Sequence, residues 1–171
     1  NIFGAQEAYV RIVNNLFENC RYSIRTEKST LYEGISGNTF NIDKNEIVYK
    51  TECPNATIDK FDAEYTGNHF GIWSNASRFI GNVSQNDFIN IQEYAGKGTM
   101  KKLYAISAFE GTYGVYSKNT FTNAYRSFDI GSCFGNVIEN NTIEVNSLGT
   151  YDSIRNEYQI RISGSSDVSV N

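Results

Sequence analysis

Asn119-Thr-Phe-Thr-Asn-Ala-Tyr-Arg-Ser-Phe-Asp-Ile-Gly-Ser-Cys-Phe-Gly-Asn-Val-Ile-Glu-Asn-Asn-Thr-Ile-Glu-Val-Asn146 contains one phrase twice. Asn119-Thr-Phe-Thr-Asn123 returns as Asn141-Thr-Ile-Glu-Val145. Between the copies, Ser127-Phe-Asp-Ile-Gly131 alternates small or polar residues with apolar ones, the period of a strand. Upstream the phrase reads Asn15-Leu-Phe-Glu-Asn19, Asn38-Thr-Phe-Asn-Ile42, Asn68-His-Phe-Gly-Ile72 and Asn86-Asp-Phe-Ile-Asn90. The copies thus begin at Asn15, Asn38, Asn68, Asn86, Asn119 and Asn141, which suggests a period of about 22 with inserts. The long intervals, Asn38 to Asn68 and Asn86 to Asn119, hold Lys50–Thr57 and Glu93–Lys102 as extra material, which belongs in loops.

Such a unit buries too little apolar surface to fold alone. Stacked at about 4.8 Å per strand, neighbouring units close a shared interior. The spacing therefore predicts a column of Phe17, Phe40, Phe70, Phe88, Phe121 and Ile143, with the phrase asparagines hydrogen-bonded along the stack. An antiparallel sandwich also has short strands and turns, but it has no need of one residue type at one rung position six times. Ala8–Val13 reads as a first strand, Tyr22–Ile24 as the next, and Glu27–Thr30 as a polar turn.

The composition agrees. One proline, 14 glycines and 21 asparagines disfavour long helices, and 12 Tyr with 11 Phe suit strands. The 171 residues suggest one domain. A net charge of −4 without a basic run argues against nucleic acid as the main partner. No apolar run reaches the length of a membrane span. The chain does not begin with Met, and it reads as a processed product or a segment of a longer chain. Cys20, Cys53 and Cys133 are odd in number and irregularly spaced, neither a disulfide framework nor a metal site.

Gly135-Asn-Val-Ile-Glu-Asn-Asn-Thr-Ile143 and Gly37-Asn-Thr-Phe-Asn-Ile42 resemble the repeats of the pectate-lyase-like superfamily. That group includes polysaccharide lyases, glycoside hydrolases and bacteriophage tail spikes. The likeness covers roughly residues 8 to 171. It implies an all-β, right-handed parallel β-helix, here of about seven coils and on the order of 35 Å long. It also implies carbohydrate as the ligand of one long face, and an extracellular, cell-surface or virion location. A homotrimer or flanking domains would accompany a tail-spike-like protein. The superfamily's catalytic motifs do not carry over: Asn-Thr is followed by Phe40 or Phe121, no paired Asp exists, and Arg161-Ile-Ser163 lacks a lysine.

Asp62 and Glu64 are the candidate catalytic pair, since alternate residues of a strand share a face and glycoside hydrolysis uses two nearby carboxylates. A solvated strand face with Phe61 and Ala63 inward is the commoner meaning of that spacing. Asp43, Glu46, Asp87 or Asp129 could join them from other rungs. Nothing calls for a cofactor; a calcium ion at these acids has no further support. His69, the single histidine, is expected to face outward. Trp73, Tyr94, Tyr104 and Tyr116 are the candidate carbohydrate-binding residues, with Tyr113 and Tyr125 as further aromatics, because sugar C–H faces stack on aromatic rings. Recognition of a cell-surface polysaccharide, with or without depolymerase activity, is the leading expectation. A purely structural segment of a fibre or appendage is the second, and a complete lyase or hydrolase the third.

Overall fold

A computed structural model describes residues 2–3, 7–18, 20–42, 68–90, 102–145 and 159–171. These residues form strands and turns with no helix, and every strand pairing among them is parallel. The chain visits three sheets in fixed order, so that each circuit adds one rung to all of them. The first sheet stacks Ile2–Phe3, Tyr22–Glu27, Asn68–Asn75, Lys102–Phe109, Arg126–Gly131 and Ile160–Ser163. The third stacks Leu16–Glu18, Thr39–Ile42, Asp87–Asn90, Thr120–Thr122 and Thr142–Glu144. In the second sheet the early rungs are split, as in Thr30–Leu31 and Ile35–Ser36, while Thr112–Ser117 and Phe134–Glu139 are unbroken. Among the described residues this makes five full circuits and the beginning of a sixth. The result is a parallel, stacked solenoid.

The third sheet carries the predicted column, with one exchange of members. Phe17, Phe40, Phe88 and Phe121 stack with ring centroids 5.0, 4.6 and 5.0 Å apart and planes within 6° of parallel. Ile143 pairs with Phe121 at the end. Phe70 is not in this column; it lies in the first sheet between Tyr22 and Tyr104, half-buried. Equally, Asn68 is no ladder member, since it begins a first-sheet strand paired with Lys102. The reason is circuit length. Thr39 pairs with Asp87, so the circuit that leaves Asn38 closes only at Asn86 and contains the whole Asn68 phrase. The step from Asn68 to Asn86 is shorter than the shortest circuits between ladder asparagines, Asn119 to Asn141 and Asn15 to Asn38, so it cannot close a rung.

The ladder runs Asn15, Asn38, Asn86, Asn119 and Asn141. Each Oδ1 from Asn38 onward accepts both the backbone N–H and the Nδ2 of the preceding rung's asparagine, for Asn119 at 3.1 and 3.0 Å from Asn86. The second Nδ2 proton goes to a backbone carbonyl, such as Val83 O for Asn119 at 3.0 Å. Amides that are 0–1 % exposed, as Asn38, Asn86 and Asn119 are, thus keep their partners. The residue before each ladder asparagine (Asn14, Gly37, Gln85, Lys118, Asn140) is left-handed, with φ between 52° and 65°. The ladder amides fix this corner, which lets Gln85 and Lys118 occupy a conformation that ordinarily favours Gly or Asn.

The first-sheet strands break alternation at one place. Gly71 and Ile72, Ala105 and Ile106, and Ser127 and Phe128 are adjacent pairs with both members buried. A Cβ on Gly71 would lie 2.6 Å from the Phe88 ring, so this position has room only for hydrogen. Because both central residues turn inward, those on either side turn outward. Phe70 and Trp73, three apart, therefore share the outer surface. Tyr22 and Arg25, and Tyr104 and Arg126, reach the same surface, while Ser107 and Asp129, at the register positions equivalent to Trp73, are only 0 % and 4 % exposed.

Candidate functional site

Outside the first sheet, two columns flank this break. One is Tyr22, Phe70, Tyr104 and Arg126; the other is Arg25, Trp73, Ser107, Asp129 and Arg161. Parallel pairing in register puts equivalent residues directly above one another. Tyr22 and Phe70 stack at 5.1 Å, Phe70 and Tyr104 at 5.3 Å, and Tyr125 continues from Tyr104 at 5.3 Å. The columns lean together: the Tyr22 and Trp73 rings meet edge to face at 6.1 Å, and Arg126 Nη1 donates to Asp129 Oδ2 at 2.8 Å.

Arginines bracket the aromatic rings. Arg25 lies over Tyr22 at 5.5 Å and Trp73 at 5.0 Å, pairs with Glu27, and is joined over Tyr22 by Arg21 at 5.3 Å. At the other end Arg126 lies 5.6 Å from the Tyr104 ring centre and 6.0 Å from that of Tyr125. Asp129, 4 % exposed, is held through its other oxygen by Arg161 Nε at 2.7 Å. With both oxygens engaged by guanidinium groups, Asp129 is a clamp for two arginines. Burial raises the Tyr104 phenol above its ordinary pKa, with Tyr125 adding to the shift, so its hydroxyl remains a neutral donor at ordinary pH.

The candidate aromatics do not all meet here. Trp73 and Tyr104 sit on adjacent rungs of this face, both half-buried, and Tyr125 borders them. Tyr116 does not: it is 1 % exposed inside the solenoid against Phe79 and Phe128, so its ring cannot touch a ligand. The register explains this, since Tyr116 pairs with the inward Val83 and Ile138. Tyr113 is 45 % exposed on the second sheet, with Arg78 over its ring at 4.7 Å. Tyr94, Asp62 and Glu64 lie outside the described residues, as do Asp43 and Glu46. Asp87 is on the third sheet and Asp129 on the first, so these two do not form a pair. His69, expected outward, is 7 % exposed, and its Nδ1 lies 2.9 Å from the Cys20 carbonyl oxygen. Its strand enters the break with His69 and Gly71 on the core side.

Sequence reasoning passed over Tyr22, Arg25, Arg126 and Arg161. The signal was a second phrase: Tyr22-Ser-Ile-Arg25, Phe70-Gly-Ile-Trp73, Tyr104-Ala-Ile-Ser107, Arg126-Ser-Phe-Asp129 and Tyr158-Gln-Ile-Arg161. Its two inner positions are constrained by the core, and its outer positions vary. The chain matches no known protein-family model, no curated protein and no solved structure.

Proposed function

We propose that this chain is part of a right-handed parallel β-helix of the pectate-lyase-like kind that recognises a cell-surface polysaccharide through the outside of its first sheet. An extracellular, cell-surface or virion setting, with a homotrimer or flanking domains, belongs to the same proposal. The observation that carries it is the run of half-buried rings, Tyr22, Phe70, Trp73 and Tyr104, bracketed by arginines on one face. Ring edges and C–H faces supply apolar contact, while Tyr hydroxyls and guanidinium groups meet sugar hydroxyls. A rung spacing of about 4.8 Å is close to the length of one sugar residue, which suits a glycan lying along the stack. The proposal is confined to binding, because Glu27 and Asp129, the carboxylates described on this face, are both engaged by arginine.

Trp73 is the single tryptophan, so its fluorescence reports on this face alone. A titration with bacterial surface glycans should shift it. Trp73→Ala should weaken binding while changing stability by about 1 kcal/mol or less, as expected for a half-buried surface ring. If no glycan in a broad panel shifts the fluorescence, the second reading stands, a purely structural segment. The self-stacking of Tyr22, Phe70 and Tyr104 favours that alternative, since rings that cover one another's faces also stabilise the stack.

A further inference from the structure

We infer that the second sheet carries a further ligand site of its own, at Arg78, Tyr113 and Phe134, which takes an acidic sugar residue of an oligosaccharide. Tyr113 is 45 % exposed, and its backbone is left-handed, with φ at 53°. Among the described residues, the other left-handed positions apart from glycine lie at turns between strands, whereas Tyr113 lies inside the strand Thr112–Ser117. A bulky residue there is a conformational outlier, and such outliers gather at binding sites. The register shows what was exchanged. Arg78 pairs with Thr112 and with Thr30, so Tyr113 holds the position of Phe79 and Leu31, which both point inward. In the Tyr113 rung the Tyr116 ring occupies the inner space beside Gly114, where an added Cβ would lie 2.7 Å from its hydroxyl. Tyr113 is thereby turned out to the surface.

The surroundings of Tyr113 fit a sugar acid. Its ring rests on Gly135, where an added Cβ would lie 2.9 Å from it, and Phe134 meets it edge to face at 5.8 Å. Arg78 lies over the same ring at 4.7 Å. Arg25, Arg126 and Arg161 each hold a carboxylate, but the exposed Arg78 has no ion pair among the described residues. Its guanidinium is backed by a ring and open to an incoming carboxylate, which it matches with paired donors. The Tyr113 hydroxyl, and Thr30 beside Arg78 in register, offer hydrogen bonds to sugar hydroxyls. Ile80 and Phe134, 43 % and 41 % exposed, offer apolar contact to sugar C–H groups. Arg78, Tyr113 and Phe134 lie on three successive rungs, so the site extends about 10 Å along the stack. That is room for two sugar residues. The site takes its class of ligand from the carbohydrate reading of the first sheet, but its position rests on other residues and another face.

The test is amide NMR of the whole chain, titrated with trigalacturonate, its carboxyl-reduced neutral form and a triglutamate peptide. Trigalacturonate should shift the amides of Ile80, Tyr113, Phe134 and Gly135, and bind about fivefold or more tightly than the neutral form. Arg78→Gln should remove that preference and leave any Trp73 fluorescence response unchanged. Tyr113→Gly separates binding from folding, because glycine accepts a φ of 53° without strain. This variant should keep its urea midpoint within about 0.3 M of the parent while binding at the site weakens about tenfold. A midpoint that falls further makes Tyr113 a structural residue and overturns the inference. So does the absence of shifts at these amides with about 10 mM trigalacturonate. Equal binding of the neutral form overturns the acidic class, and equal shifts from triglutamate make the face a docking site for acidic protein instead. A Trp73 response without shifts around Tyr113 overturns this site and leaves the first-sheet reading standing. Shifts around Tyr113 without a Trp73 response support this site and count against that reading.

Discussion

The inside of the third sheet and the outside of the first are built from the same stacking, yet they differ rung by rung. Inside, position after position repeats: Phe17, Phe40, Phe88 and Phe121 share one orientation, and five asparagines share one hydrogen-bond scheme. Outside, Arg25, Trp73, Ser107, Asp129 and Arg161 occupy one column and no two neighbours are alike. A core position in a solenoid has the same neighbours above and below in every rung, so selection for packing drives its residues to sameness. A solvent-facing position meets no such demand, and its differences are free to serve a ligand.

If that contrast is right, damage to the repeating interior should dominate stability. Phe121→Ala removes a fully buried ring stacked on Phe88 at 5.0 Å and in edge contact with Phe128 at 4.9 Å. It should cost about 3–5 kcal/mol by urea denaturation. A loss below about 1 kcal/mol would break the comparison at its base.

Asn119→Leu tests the polar half of the interior. Leucine keeps the apolar volume but leaves the Asn86 donors and the Val83 carbonyl without their side-chain partner, and takes from Asn141 Oδ1 one of its two donors, the backbone N–H of residue 119 remaining. The expected loss is about 2–3 kcal/mol in the same assay. Unchanged stability would mean that the ladder is an ornament of the corner.

Gly71→Ala probes the seam between the two regions, since its added carbon meets the Phe88 ring and the Ala105 carbonyl at 2.6 and 2.7 Å. Overpacking there should cost about 1–3 kcal/mol and disturb Trp73, two residues away, so that stability and fluorescence shift together. A fluorescence change with no loss of stability would show that the outer face moves independently of the column.

The smallest effect concerns pH. Burial pushes the Tyr116 phenol above its ordinary 10.0, with Cys133 adding to the shift. The unfolded chain releases the proton near the ordinary value while the folded chain retains it. The stability contributed by Tyr116 is therefore full below about pH 10 and is lost as the pH climbs through the folded value. In denaturation curves at about pH 9 and pH 11, Tyr116→Phe should show a shallower alkaline fall than the parent. An identical fall would show that Tyr116 is not what limits alkaline stability.

The sequence by itself determined the parallel stacking, the phenylalanine column and the asparagine ladder, because each depends on a residue type recurring at a corner. It also marked Trp73 and Tyr104. It misplaced Asn68-His-Phe70, which imitates the ladder phrase while belonging to another sheet; composition carries no record of which strand pairs with which. Tertiary structure alone decided that Thr39 faces Asp87, and with it which asparagines stack. It also decided that two successive first-sheet residues turn inward, placing Tyr22, Trp73 and both arginine groups on one surface. Tyr116 shows the same limit from the other side. An aromatic residue in a strand reads alike whether it faces solvent or core, and only the register against Val83 and Ile138 put this one inside.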